Sequence, residues 1–150
     1  MAGQKFDVHP SVAMVKKWAD ELPAKTGRSL DQWAEVVKRA KLAGHKEQIA
    51  LLRNEYHLGN NEAWVIVGYA NDSRTWDGDP AVYLRQAPKY VEAMFAGAKA
   101  SLRPIFDRLY AEGRKLGKDV KVCPCKTMVP FYRKRVFAEV MPATKTRVEL

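Results

Sequence analysis

The sequence predicts an α+β fold: an N-terminal four-helix unit followed by two helices and an antiparallel β-meander. Apolar residues recur at helical spacing from Val12 to Tyr110, and from Val120 the period shifts to two. Helices and strands do not alternate, which argues against the repeated βαβ units of a parallel sheet. The chain has 150 residues, 47% hydrophobic and 29% charged, with 9 Gly and 8 Pro. That composition excludes disorder and collagen and suits one medium domain or two small ones.

Ser11 is placed to cap a first helix in which Val12, Val15, Trp18, Ala19 and Leu22 follow the i, i+3, i+4 rhythm, and Pro23 is expected to end it. Thr26-Gly27-Arg28 is the turn. Ser29 and Gln32 have capping-box spacing ahead of a second helix, with Leu30, Trp33, Ala34, Val37 and Ala40 on one face and its end near Gly44. A third helix is expected from Lys46 to His57, striped by Ile49, Leu51, Leu52 and Tyr56, with Gly59 as a left-handed residue behind it. Asn60 or Asn61 then caps a fourth, Glu62 to about Ala70. These helices make a first domain of residues 1–71, and the polar, turn-rich residues 72–80 read as a linker.

The second domain spans residues 81–150. Pro88 suits the first turn of a helix that runs through Met94 and Phe95 and closes at Gly97. Leu102, Ile105, Phe106, Leu109 and Tyr110 form one face of the next helix, with Pro104 in its first turn. Period-two runs follow at Val120 and Val122, at Val129 and Phe131, at Val136, Ala138 and Val140, and at Thr146 and Val148. Arg133-Lys134-Arg135 and Pro142-Ala143-Thr144 separate the later runs, as turns of a meander.

Charge is the unusual bulk property. The 26 Lys and Arg outnumber the 17 Asp and Glu, giving +9. Residues 1–71 carry +2 and residues 72–150 carry +7, all of the latter surplus being matched by the +7 of residues 114–150 alone. Such a surface attracts polyanions, most often nucleic acid, through its summed field and counterion release; solubility is the competing reason for it. The longest apolar run, Ala63 to Ala70, falls far short of the ~20 residues that cross a bilayer, and no leader follows Met1, so a soluble, cytoplasmic protein without a membrane partner is expected. The two cysteines are too few for a disulfide framework, which agrees with a reducing compartment.

Several segments point to a family. His9-Pro10-Ser11-Val12, Glu21 through Trp33, and Glu55 through Ala63 resemble the small bacterial helical family called domain of unknown function 4287, over most of residues 7–71. Tyr90 through Phe95, Leu102-Arg103-Pro104 and Val120 through Thr127, with Phe137 and Pro142, resemble domain of unknown function 5655, often its companion. The resemblance implies a two-domain bacterial protein. It supplies no catalytic residues to carry over, and it implies relatives that continue past Leu150, so that this chain reads as a shortened member whose sheet lacks a closing element.

Each motif with chemical meaning has a plainer structural reading. Lys46 to Asn71 has helix-turn-helix spacing, yet its second helix is nearly apolar and lacks Arg and Lys, which suits a core better than a groove. Cys123-Pro124-Cys125 reads first as small buried side chains, then as a redox pair flanked by Lys121 and Lys126, and last as half a metal site, because His9, His45 and His57 all fall in the first domain. Gly113 to Asp119 departs from a phosphate loop in spacing and lacks its Ser/Thr, and reads as a helix C-terminus with favourable cations. Asp77 and Asp79 read as solvated linker residues, and no catalytic constellation or cofactor fingerprint emerges.

Lys121, Lys126, Arg133, Lys134, Arg135, Lys145 and Arg147 remain, interleaved with Phe131, Tyr132 and Phe137. Cations beside aromatics are compatible with phosphate contact and base stacking, and the set nominates Lys121, Lys126, Tyr132, Arg133, Lys134, Arg135, Lys145 and Arg147 for nucleic acid or another anion. Edge-strand protection by Lys and Arg produces the same alternation. The expectation is a non-catalytic binding or accessory protein associated with nucleic acid. The alternative is a small-anion binder or enzyme with a pocket between the C-terminal helices and the sheet, where Lys126, Tyr132 and Arg133 receive the anion. The last strand, Lys145 to Leu150, leaves an edge that a second copy can pair with, so a homodimer is expected, and light scattering decides it.

Overall fold

The computed structural model describes residues 3–73, 76 and 78–150; Arg74, Thr75 and Asp77 of the expected linker lie outside the described residues. The fold is α+β, six α-helices followed by a four-stranded antiparallel sheet among the described residues. It divides into two compact units, Pro10–Tyr83 and Met1–His9 with Leu84–Leu150. No described helix is long and apolar enough to cross a membrane.

In the helical unit, α1 (Pro10–Thr26) starts with Pro10 in its first turn and continues through Pro23, which the sequence expects to end it. Proline so near the C-terminus removes one donor only. The last turn closes regardless: Gly27 N–H donates to Pro23 O at 2.9 Å, Thr26 Oγ1 donates to Leu22 O at 2.7 Å, and Gly27 stops the helix with φ 75°. The predicted capping box of α2 (Leu30–Arg39) is present, with Gln32 N–H donating to Ser29 Oγ at 3.2 Å and Ser29 N–H to Gln32 Oε1 at 2.8 Å.

Two glycines play other parts than expected. Gly44 precedes α3 (His45–Asn54) and donates its N–H to Glu47 Oε2 at 2.9 Å, whereas α2 has already ended at Arg39. Gly59 is not left-handed; it has φ −66° and caps α4 (Asn60–Asn71), while His57 takes the positive φ of 55°. Helix α4 packs on α1, α2 and α3, burying Ala63, Ile66 and Val67 among Leu22, Trp33, Val37 and Leu52, and Val65 against Val15 and Ala19. Its apolar composition is that of a core helix, as its lack of cations implies.

Helix α5 (Pro80–Met94) begins eight residues ahead of the expected Pro88 start, so Pro80 is the first-turn proline and Pro88 lies inside the helix. Asp79 Oδ1 accepts from Ala81 N–H at 2.8 Å and so caps it. The division between the units falls within this helix. A short 3₁₀ helix, Gly97–Leu102, leads into α6 (Arg103–Lys115), which carries Pro104 in its first turn as expected. Strands β1 (Lys121–Val122), β2 (Val129–Tyr132), β3 (Val136–Pro142) and β4 (Val148–Glu149) pair in sequence order, every pair antiparallel, which is the predicted meander. Val91, Phe95, Leu102 and Phe106 pack on Val122, Val129, Phe131 and Val140 to form the core of this unit.

Residues before α1, which the sequence groups with residues 1–71, belong to the C-terminal unit. Asp7 N–H donates to Val122 O at 2.9 Å, and Val122 N–H donates to Asp7 Oδ2 at 2.9 Å. Arg114 pairs with Asp7 at 2.8 Å, and the Tyr110 hydroxyl donates to Lys5 O at 2.8 Å. The arm thus supplies hydrogen bonds to β1 that a two-residue strand needs.

Candidate functional site

An antiparallel meander places successive turns at opposite ends of the sheet, and this sorts the eight nominated residues into two groups. Strand β3 has seven residues, so its ends stand about 20 Å apart. Lys121 is the register partner of Tyr132 and lies with the Arg133-Lys134-Arg135 turn at one end. Lys126, in the β1–β2 connection, lies with Lys145 and Arg147 of the β3–β4 turn at the other.

At the first end, structural duties claim several groups. The Arg133 guanidinium donates to Leu116 O behind α6 and pairs with Asp119 at 3.4 Å, which complements the negative C-terminus of that helix. Gly113 lies inside α6 against the Phe131 ring, in keeping with a helix C-terminus and not a phosphate loop. The Tyr132 hydroxyl is 3.1 Å from His9 Nε2 and the rings meet edge to face, with burial as the main cause of the raised Tyr132 pKa. Phe131 is 2% exposed and belongs to the core, so the three aromatics do not share an open stacking face. Lys134 and Arg135 are exposed and make no side-chain hydrogen bond or ion pair among the described residues.

The other end is concave. Lys126, Lys145 and Lys99 line a cavity of about 560 Å³ with Met94, Met141 and Pro142, and no Asp or Glu among the described residues contributes to its wall. Each lysine comes from a different segment. Gly97, with φ 57°, turns the chain from α5 into the 3₁₀ helix that carries Lys99, and Lys99 Nζ is held by donation to Pro142 O at 2.8 Å. Cys125 N–H donates to Met128 O at 2.8 Å, closing the connection that presents Lys126, and Thr144 N–H donates to Arg147 O at 3.3 Å across the turn that presents Lys145. Arg147 itself pairs with Glu149 at 2.7 Å. Lys99 is the residue that sequence reading misses: a six-residue 3₁₀ helix has no amphipathic period to mark its faces.

Cys123 is fully buried, and its thiol is pushed up to about 12, first by burial and then by the negative charge of Asp7. His9 stands beside Tyr132 in the same unit, which corrects the placement of all three histidines in the first domain. Among the described residues no three His, Cys, Asp or Glu side chains gather as a metal site. Burial and the raised pKa keep Cys123 as the unreactive thiol at pH 8. Alkylation followed by peptide mass spectrometry is expected to leave Cys123 unmodified in the native protein and to label it after denaturation; native labelling at the free-thiol rate would contradict its burial.

The class is thus a tandem of a four-helix unit and an α+β unit closed by a basic meander. Residues 15–72 match the family model described as Domain of unknown function (DUF4287), and residues 91–150 match the one described as Domain of unknown function (DUF5655), which agrees with the resemblance read from the sequence for both halves. No curated protein and no solved structure matches the chain significantly.

Proposed function

We propose that this is a binding protein whose C-terminal unit takes a small anionic ligand in the cavity lined by Lys99, Lys126 and Lys145. The observation that carries the reading is that three lysines, from three segments, line one cavity with no Asp or Glu among its described lining residues. A volume of about 560 Å³ suits a small organic phosphate or carboxylate. Each ammonium placed ~4 Å from an anionic oxygen contributes about 1 to 4 kcal/mol between fully wet and partly desolvated limits.

The nucleic-acid reading rests on a different observation, the +7 of residues 114–150 and the exposed Lys134 and Arg135, which have no side-chain partner among the described residues. One set of titrations separates the two. Calorimetry with citrate and inorganic pyrophosphate is expected to show binding that Lys126→Ala/Lys145→Ala weakens by roughly tenfold or more and that Lys134→Ala/Arg135→Ala leaves unchanged. If instead a 20-nucleotide single strand binds, with log affinity falling by about 0.7 per neutralised phosphate per log unit of salt, and Lys134→Ala/Arg135→Ala flattens that slope, the nucleic-acid reading replaces it. Failure of every probe at low salt removes both.

A further inference from the structure

The helical unit contains a second cationic cavity, at positions the sequence nominates for no ligand. It measures about 400 Å³ and is lined by Lys25, Arg28, Trp33, Tyr56, His57 and Leu58. Its floor is fixed by hydrogen bonds. Trp33 is 3% exposed, and its Nε1–H donates to Thr26 Oγ1 at 2.8 Å, while Thr26 Oγ1 donates to Leu22 O at 2.7 Å. Tyr56 meets Trp33 edge to face at 5.2 Å, so the two rings form a rigid corner.

Arg28 lies in that corner, its guanidinium carbon 4.8 Å from the Trp33 centroid and 5.5 Å from the Tyr56 centroid. Two aromatic contacts hold the guanidinium without using its N–H edge. Arg28 makes no ion pair among the described residues, although Lys25 beside it pairs with Glu21 at 2.8 Å and reaches Glu62 at 3.7 Å. The Tyr56 hydroxyl and the His57 imidazole likewise have no hydrogen-bond partner among the described residues. A positive charge that is immobilised, uncompensated and flanked by further donors is arranged to receive an oxyanion, and the planar fork of Arg suits a carboxylate or phosphate in bidentate geometry.

We propose that this corner is a binding site for a small organic oxyanion, a carboxylate or phosphate borne on a flat apolar group. The oxyanion meets the N–H edge of Arg28, with Tyr56 and His57 as further donors. The flat group is called for by the size of the cavity, which far exceeds a bare inorganic anion, and by its Leu58 and aromatic walls. The site is independent of the lysine cavity in the C-terminal unit.

The test uses the full chain with four probes, phenyl phosphate, benzoate, inorganic phosphate and benzyl alcohol, each titrated against the Trp33 indole N–H resonance, which lies in this corner. Phenyl phosphate or benzoate is expected to bind roughly tenfold or more tightly than inorganic phosphate or benzyl alcohol, and to shift that resonance. Whichever of the two binds more tightly assigns the oxyanion as phosphate or carboxylate. Arg28→Ala is expected to abolish the shift of that resonance, and Arg28→Lys, which keeps the charge without the fork, to weaken binding at the corner by about tenfold. Lys126→Ala/Lys145→Ala is expected to leave the titration of the Trp33 resonance unchanged, so loss of the other site leaves this result intact. Equal binding of inorganic phosphate, equal binding of benzyl alcohol, retention of affinity in both Arg28 variants, or no binding of any probe overturns the proposal.

Discussion

Phe106→Ala is expected to destabilise the C-terminal unit by about 3–5 kcal/mol, the range for removing a fully buried aromatic side chain. Phe106 is 0% exposed and lies at the junction of α6 with α5 and the sheet. Its ring is 5.2 Å from that of Phe95 and 6.3 Å from that of Tyr110. Truncation removes these contacts and leaves a void that three packed elements cannot close without breaking strand register or helix geometry. Chemical denaturation followed by the amide exchange of β2 and β3 measures the loss. The adjacent Ile105 is the internal control: it is 45% exposed, and Ile105→Ala is expected to change stability by no more than about 0.5 kcal/mol. Equal effects at the two positions would mean that α6 presents a different face to the sheet.

Asp7→Ala is expected to cost about 2–3 kcal/mol, an effect out of proportion to a residue near a chain terminus. Its carboxylate accepts from Val122 N–H and pairs with Arg114, and neither partner of the pair is more than about a third exposed. Removal leaves a backbone donor on a fully buried strand residue without an acceptor and Arg114 without its counter-charge. Asp7→Asn keeps an acceptor for Val122 and is expected to recover part of the loss, which separates the hydrogen bond from the charge. Asp20→Ala provides the comparison, because its pair with Lys16 is more than half exposed on both sides and carries no more than about 1 kcal/mol. An Asp7→Ala loss no larger than that of Asp20→Ala would show that the arm does not hold β1.

Short-range chemistry was legible in the sequence by itself. The Ser29–Gln32 capping box, the buried face of α2, Pro104 in the first turn of α6 and the order of the meander all follow from interactions within a few residues or from hairpin turns too short to allow another pairing. The +7 of residues 114–150 was legible too, as was the core character of α4. Prolines misled wherever a local rule met a helix stabilised from outside: Pro23 and Pro88 each remove one donor, and tertiary packing carries the helix past that loss. Only the tertiary structure placed the N-terminal arm, because residues 3–9 have no period and their partners lie more than 100 positions away. It alone joined Lys99 to Lys126 and Lys145, and Arg28 to Trp33 and Tyr56, since both cavities are assembled from segments that neither share a helix face nor adjoin in a strand. Periodicity reports which face of an element is buried; which elements then meet, and which charges are left without a counter-charge, is decided by packing between segments distant in the chain.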